Sequence, residues 1–179
     1  MSHLLRAFLT LLFVVLTPGL VEAQRNCVKG KPCGRAVSSS HRCVVDSVTD
    51  GDTLRCGGVP IRLLLIDAPE MDQGPWGEVA KAALTSLAPP GTELRLEYDV
   101  DPNDRYDRVL AYLHLDDGRM INEELIGMGV ALVSVYPPNV KYVDQFRATQ
   151  EEAVRNRAGL WSVDAFACTP ADHRAGRCE

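Results

Sequence analysis

The hydrophobic period of this chain switches from two to 3.6 only after three strand-type runs have passed in succession. Cys43 to Thr49 and Thr53 to Cys56 are joined through Asp50-Gly51, a dipeptide that favours a tight hairpin, and Val59 to Ile66 follows directly. Ala80, Ala83, Leu84 and Leu87 then fall at helical spacing, and Pro89-Pro90-Gly91 ends that stripe. Leu94, Leu96, Tyr98 and Val100 alternate with Glu93, Arg95, Glu97 and Asp99 as a half-buried strand, and Val109 to Leu115 is another, ended by Asp116-Asp117-Gly118. Ile121, Leu125 and Met128 give a short second helix ended near Gly129. Tyr142 to Arg157, carrying Val143, Phe146, Ala153 and Val154, gives a third, closed by Gly159. This order lacks the strand-helix alternation of a parallel sheet and points to an α+β plan: a five-stranded barrel with three helices about its ends. Barrels of this kind bind oligonucleotides or sugars on one face.

The 179 residues suffice for one domain, and 46% hydrophobic with 24% charged residues implies a packed core. A net charge of -5 excludes coating nucleic acid by bulk electrostatics, so phosphate binding has to be local. Residues 1–23 have the pattern of a cleaved signal peptide: Arg6, the apolar run Ala7 to Leu16, a break at Pro18-Gly19, then Val21-Glu22-Ala23. That run is well short of the roughly 20 residues that span a bilayer. A periplasmic or secreted monomer without stable membrane association is expected. Residues 24–41 lack apolar periodicity and are expected to be a flexible leader; the folded domain is expected at 42–162, and a disulfide-tethered tail at 163–179.

All six cysteines follow the expected cleavage point, and an even set in an exported domain forms disulfides. Sequence-adjacent pairing joins Cys27 to Cys33, Cys43 to Cys56 and Cys168 to Cys178; other connectivities stay open. Zinc is disfavoured, because there is no CxxC and His3, His41, His114 and His173 are scattered.

Three stretches concentrate the side chains that carry chemistry. Asp50-Gly51-Asp52-Thr53 is, alone, a turn. RLLLIDAPE, from Arg62 to Glu70, sets a cation at one end of a buried run and Asp67 and Glu70 around Pro69 at the other. Pro69 prevents regular strand pairing, so both carboxylates are expected at a barrel rim. Asp104-Arg105-Tyr106-Asp107-Arg108 directly precedes a strand. Asp52 and Asp67 offer hard oxygen ligands, Glu70 a carboxylate for proton transfer, and Arg62 and Arg108 planar cations that match a phosphate. Phosphodiester hydrolysis requires those parts: a cation on one phosphate oxygen, arginines against the charge of the transition state, and a carboxylate that presents water.

The DGDT motif, RLLLIDAPE, the run D-R-Y-x-R-x-L-A-Y at 104–112 and NEELIGMGVA at 122–131 together resemble the staphylococcal nuclease (thermonuclease) family, in the family's order. The resemblance implies an OB-fold barrel and calcium-dependent cleavage of DNA and RNA to 3′-phosphate products. It matches Asp52 and Asp67 to the calcium carboxylates, Ala68 to a backbone carbonyl ligand and Glu70 to the general base or water-orienting residue. Arg62 and Arg108 match the phosphate-clamping arginines, and Arg105 and Tyr106 a basic-aromatic pair near a terminal phosphate.

There are departures. Ala68 stands where the prototype has Thr, the basic loop after the Glu is cut down to residues 71–78, and Asp107 stands where the family has Gly. Glu97, Asp99, Asp101, Asp104 and Asp107 make that stretch acidic, whereas the prototype is basic. A rival from another class is a non-catalytic OB-fold module binding nucleic acid or another ligand; retention of both Asp, Glu70 and both arginines weighs against it. A sugar-binding barrel is weaker still, since Trp76 and Trp161 fit core plugs better than a stacking platform.

Overall fold

The computed structural model describes residues 42–178, so the expected signal segment, the leader and the Cys27–Cys33 pair lie outside the described residues. The described chain contains strands β1 (Arg42–Val48), β2 (Thr53–Cys56), β3 (Val59–Leu63), β4 (Ile66–Asp67), β5 (Glu93–Glu97), β6 (Val109–His114) and β7 (Leu132–Val133). Its helices are α1 (Trp76–Leu87), α2 (Ile121–Gly127), α3 (Val143–Arg155) and α4 (Pro170–Arg174). Strands β1-β2-β3-β6-β5 close into a barrel, the five-stranded architecture expected from the pattern. Pairing is antiparallel around the barrel except between β3 and β6, which run parallel and need the crossover that β4, α1 and β5 supply. β1 serves two neighbours, Arg42–Val44 against β5 and Val45–Val48 against β2, with a register shift between Val45 and Ser47 that bends it from one to the other.

The Asp-Gly signal predicts a hairpin, and one forms, but the reason for Gly51 is space. A Cβ there would lie 2.5 Å from Ala80 Cβ and 2.6 Å from Ala68 Cβ, so only glycine lets the turn pack on α1. Positive φ belongs to Gly57 (59°) and Gly58 (80°) instead, which turn β2 into β3 with Cys56 facing Val59.

The apolar run Val59 to Ile66 is not one strand. It breaks after Leu63, and Leu65 takes φ 62° before Ile66 and Asp67 pair with Val133 and Leu132. Leu63 to Ile66 are all buried, and Asn122 at the start of α2 fills the break: its Nδ2 donates to the Leu64 carbonyl at 2.9 Å and its Oδ1 accepts from the Leu113 amide at 2.9 Å. An uninterrupted strand would have kept alternating through the barrel wall; the break carries Asp67 to the rim.

The helices bury the expected stripes with two corrections. Ala80, Ala83 and Leu84 of α1, Ile121 and Leu125 of α2, and Phe146 and Ala153 of α3 are buried, whereas Met128 lies exposed just past α2 and Val154 is exposed on α3, where Ile126 and Tyr142 take up packing instead. Tyr112 of β6 meets Tyr142 and Phe146 edge-on, at centroid distances of 4.7 and 6.1 Å, docking α3 on the barrel. Trp76 and Trp161 pack against the core.

Packing continues past residue 162. Ala165 and Phe166 join the core, and Phe166 lies 4.7 Å from Trp161. Beyond them Thr169 caps α4 by accepting from the Asp172 amide, Pro170 occupies its first turn, and Cys168 pairs with Cys178. The expected tail is thus a closed loop around a short fourth helix. Cys43 pairs with Cys56 across β1 and β2, and no described cysteine is free. No described helix is long and apolar enough to cross a membrane.

Candidate active site

The DGD turn and the break after β3 bring Asp52 and Asp67 to one place. Both carboxylates are buried, with residue exposures of 8% and 4%, and both reach a single atom: Arg62 Nη2 lies 2.9 Å from Asp52 Oδ2 and 3.3 Å from Asp67 Oδ1. Arg62 faces Thr53 in the β2–β3 register, and its Nη1 donates to the Leu63 carbonyl at 2.8 Å. Asp52 is oriented further by the Ala68 amide (2.9 Å) and the Thr53 hydroxyl (3.1 Å), and its own amide donates to Asp50 Oδ1. Burial pushes the Asp52 carboxyl up to about 6, against the pull of Arg62.

Glu70 follows Pro69 at the rim and is half-exposed. Its carboxylate accepts from Arg174 Nη1 at 2.6 Å, and the same guanidinium forks onto Asp67, Nη1 to Oδ1 at 3.0 Å and Nη2 to Oδ2 at 2.8 Å. Hydrogen bonding to Asp67 raises the Arg174 guanidinium above its ordinary value, with Glu70 adding to it. Charges therefore alternate across the site: Asp52, Arg62, Asp67, Arg174, Glu70.

Arg108 comes from the loop before β6. Asp104 accepts from its Nε at 2.7 Å and from the amides of Tyr106 (2.8 Å) and Arg108 (3.0 Å), a compact turn that aims the guanidinium. Burial raises the Asp104 carboxyl, but the hydrogen bonds from Arg108 and Tyr106 outweigh it and hold it below its ordinary value. Arg105 stacks on Tyr106 at 4.7 Å from the ring centroid and donates to its hydroxyl, while Arg108 stands 5.7 Å from that ring. Asp107 is exposed and sits at φ 60°.

An open cleft of about 610 Å³ is lined by Asp52, Arg62, Asp67, Glu70, Arg105, Tyr106 and Arg108, with Arg174 on the same wall. All seven candidate side chains thus face one space, and Ala68 adjoins it through its amide bond to Asp52. A cation site fits this donor set: the two buried carboxylates are hard oxygen ligands that converge on one cleft, and in this structure Arg62 and Arg174 meet their charge. Cys168, His173 and Cys178 bring three potential ligand atoms within 4.8 Å of one another, but the two sulfurs are joined to each other.

The family described as "Staphylococcal nuclease homologue" matches residues 60–163, more than half of the chain. This chain belongs to the staphylococcal nuclease family. Among curated relatives, the SPbeta prophage-derived endonuclease YokF of Bacillus subtilis is 38% identical over 133 residues, covering 68% of this chain and 44% of YokF. Endonuclease YncB of the same organism is 35% identical over 148 residues, 76% of this chain and 69% of YncB. The thermonuclease of Staphylococcus intermedius is 35% identical over 127 residues, 66% of this chain and 74% of that protein. The chain thus spans less than half the length of YokF.

The site also holds two residues to which sequence reasoning gave no role, Asp104 within the 104–108 stretch and Arg174. Asp104 carried a signal, standing four residues before Arg108 in a loop of short polar residues. Arg174 carried none: it lies 107 residues from Asp67, in a segment whose only mark was its flanking cysteines.

Proposed function

We propose that the chain is an exported, calcium-dependent nuclease that hydrolyses phosphodiester bonds of DNA, RNA or both, leaving 3′-phosphate products. The reading rests on one observation: Asp52, Arg62, Asp67, Glu70 and Arg108, drawn from three separate stretches of the chain, line a single cleft. Its relatives are named as endonucleases and a thermonuclease, which supports the same activity.

In this reading Asp52, Asp67 and the Ala68 carbonyl would hold the ion, which would supply Lewis acidity to the phosphate. Arg62 and Arg108 place cationic N–H groups against the charge that grows on the pentacoordinate phosphorus. Glu70 orients a water and takes its proton as oxygen attacks phosphorus; the bond to the 5′ oxygen breaks, that oxygen takes a proton from solvent to leave as a hydroxyl, and the phosphate stays on the 3′ side. Arg105 and Tyr106 flank a terminal phosphate.

The test is release of acid-soluble nucleotide from single- and double-stranded DNA and from RNA, with calcium and with chelator, together with end-group analysis of the products. Calcium-dependent release with 3′-phosphate ends is expected. Calcium-independent release, or none on any of the three polymers, overturns the reading. Recovery in the periplasm or the medium, at the mass left by cleavage after Ala23, checks export.

A further inference from the structure

The cleft contains a cation of the protein's own. Arg174 ends α4 and places its guanidinium fork on both oxygens of Asp67 while holding Glu70 as well. Nothing in the family pattern at 60–163 provides it, since it lies beyond that span. Its position is built. The Cys168–Cys178 disulfide closes the loop around α4, Thr169 and Asp172 cap each other at 2.6 Å, and Arg177 ties back to Asp172 at 2.7 Å. The loop is anchored on the shortened segment after Glu70: Gln73 Nε2 donates to the Cys168 carbonyl at 2.8 Å, and His173 Nε2 meets Asp72 Oδ1 at 2.9 Å.

A bidentate guanidinium within hydrogen-bonding distance of both oxygens satisfies the carboxylate that a metal needs and repels a dication brought to the same atoms. The two cations cannot share Asp67 at equal strength. Because Arg174 is 41% exposed at its side chain, it can swing off toward solvent without disturbing the core. Asp67 therefore chooses between this internal arginine, which Glu70 helps to hold, and an external ion.

We infer that Arg174 is a built-in competitor for the divalent cation at Asp67, held in place by the Cys168–Cys178 loop, and that it sets the calcium affinity of this protein. The inference rests on the metal site proposed above. Apparent affinity is the intrinsic affinity multiplied by the fraction of molecules in which the arginine has left the carboxylate, so removing the competitor tightens binding.

The test is calcium binding to the full purified chain, followed by calorimetric titration without any nucleic acid. Wild type is compared with Arg174→Gln, Arg174→Lys and the double variant Cys168→Ser/Cys178→Ser. A cooperative thermal transition in chelator confirms that each variant is folded. Arg174→Gln is expected to lower the Kd about tenfold or more, equivalent to about 1.4 kcal/mol. Arg174→Lys, which keeps the charge but not the fork, is expected between wild type and Gln, and the loosened double variant shifts the same way. Calcium binding to Arg174→Gln with wild-type or weaker affinity overturns the inference and leaves the metal site standing. Should calcium bind neither wild type nor Arg174→Gln, the metal site fails and takes the inference with it. If the double variant does not fold, Arg174→Gln alone decides.

Discussion

Gly77 lies directly beneath the backbone of Glu70: a Cβ at position 77 would overlap the Glu70 carbonyl oxygen and come within 2.7 Å of Met71 Cα. The neighbours are backbone atoms, so they cannot rotate away as a side chain would, and α1 meets the Glu70 segment at its first turn only because residue 77 has no side chain. Gly77→Ala is expected to cost about 1–3 kcal/mol of stability, as overpacking does, and to lower turnover by shifting Glu70. Denaturant unfolding and steady-state kinetics measure both. Wild-type turnover in a folded Gly77→Ala protein would show that the contact does not set the position of Glu70.

Much of this arrangement was legible in the sequence, and the limits have physical reasons. Period and turn chemistry located the barrel strands and α1 to α3, because each element buries one side and turn residues punctuate the ends. The break at Leu65 was not legible. Four successive apolar residues carry no period, and the left-handed turn depends on Asn122, which lies 58 residues from Leu64. The core carboxylates and arginines were found because they cluster in short motifs. Arg174 was not, since its role arises only when a disulfide loop folds back on the barrel.

The proposed chemistry separates binding from proton transfer. Glu70→Gln keeps shape and hydrogen bonding but loses the ionised base, so hydrolysis should collapse while calcium binding persists. Arg108→Lys keeps the charge but loses the planar fork, as does Arg62→Lys; each is expected to lower turnover by about 10²–10³. Rates in Glu70→Gln, or in chelator, that match wild type would sink the mechanism.

Disulfides should staple this fold without creating it. The core is one cluster that runs from Val45 to Phe166 and includes Leu54, Leu84, Leu113 and Phe146, enough to hold a barrel on its own. Thiol titration of the unfolded, unreduced protein is expected to find no free thiol. After mild reduction the cooperative unfolding transition should persist at a lower midpoint. Several free thiols would contradict the first statement, and loss of the transition the second.

A second charged cluster predicts acid sensitivity remote from the cleft. Glu97 of β5 accepts from Lys141 Nζ at 2.6 Å and the Tyr142 hydroxyl at 2.8 Å, and lies 2.9 Å from His114 Nε2. Burial raises the Glu97 carboxyl, but these partners outweigh it and hold it below its ordinary 4.5. Burial and then Arg95 lower the imidazole of His114 below its ordinary 6.5. Both folded values are depressed, so both groups contribute stability above their unfolded values and lose it as pH falls. The Glu97–His114 contribution to unfolding free energy should decline in two stages, starting below about 6.5 and steepening below about 4.5, while Asp52, whose carboxyl is pushed up to about 6, contributes with the opposite sign as pH falls through that value. His114→Gln should flatten the upper stage. A difference between wild type and His114→Gln that stays level from pH 8 to pH 5 would show that His114 is not coupled to folding.

Asp107 combines a backbone demand with a charge. At φ 60° it sits in the left-handed region, where the family resemblance implies Gly and where Asp is strained less than most residues with a Cβ. Asp107→Ala is therefore expected to destabilise by up to about 1 kcal/mol, while Asp107→Gly is neutral or stabilising; thermal unfolding distinguishes them. The carboxylate bonded to Arg108 is that of Asp104, at 2.7 Å, so Asp107, exposed on the same turn, acts on an approaching phosphodiester only through solvent. That makes its effect small and salt-sensitive. Asp107→Gly should raise kcat/KM on DNA at low salt, with the gain fading as the screening length drops to about 10 Å near 0.1 M salt. A ratio of mutant to wild type fixed at one across the titration would leave the backbone as the sole reason for the difference from glycine.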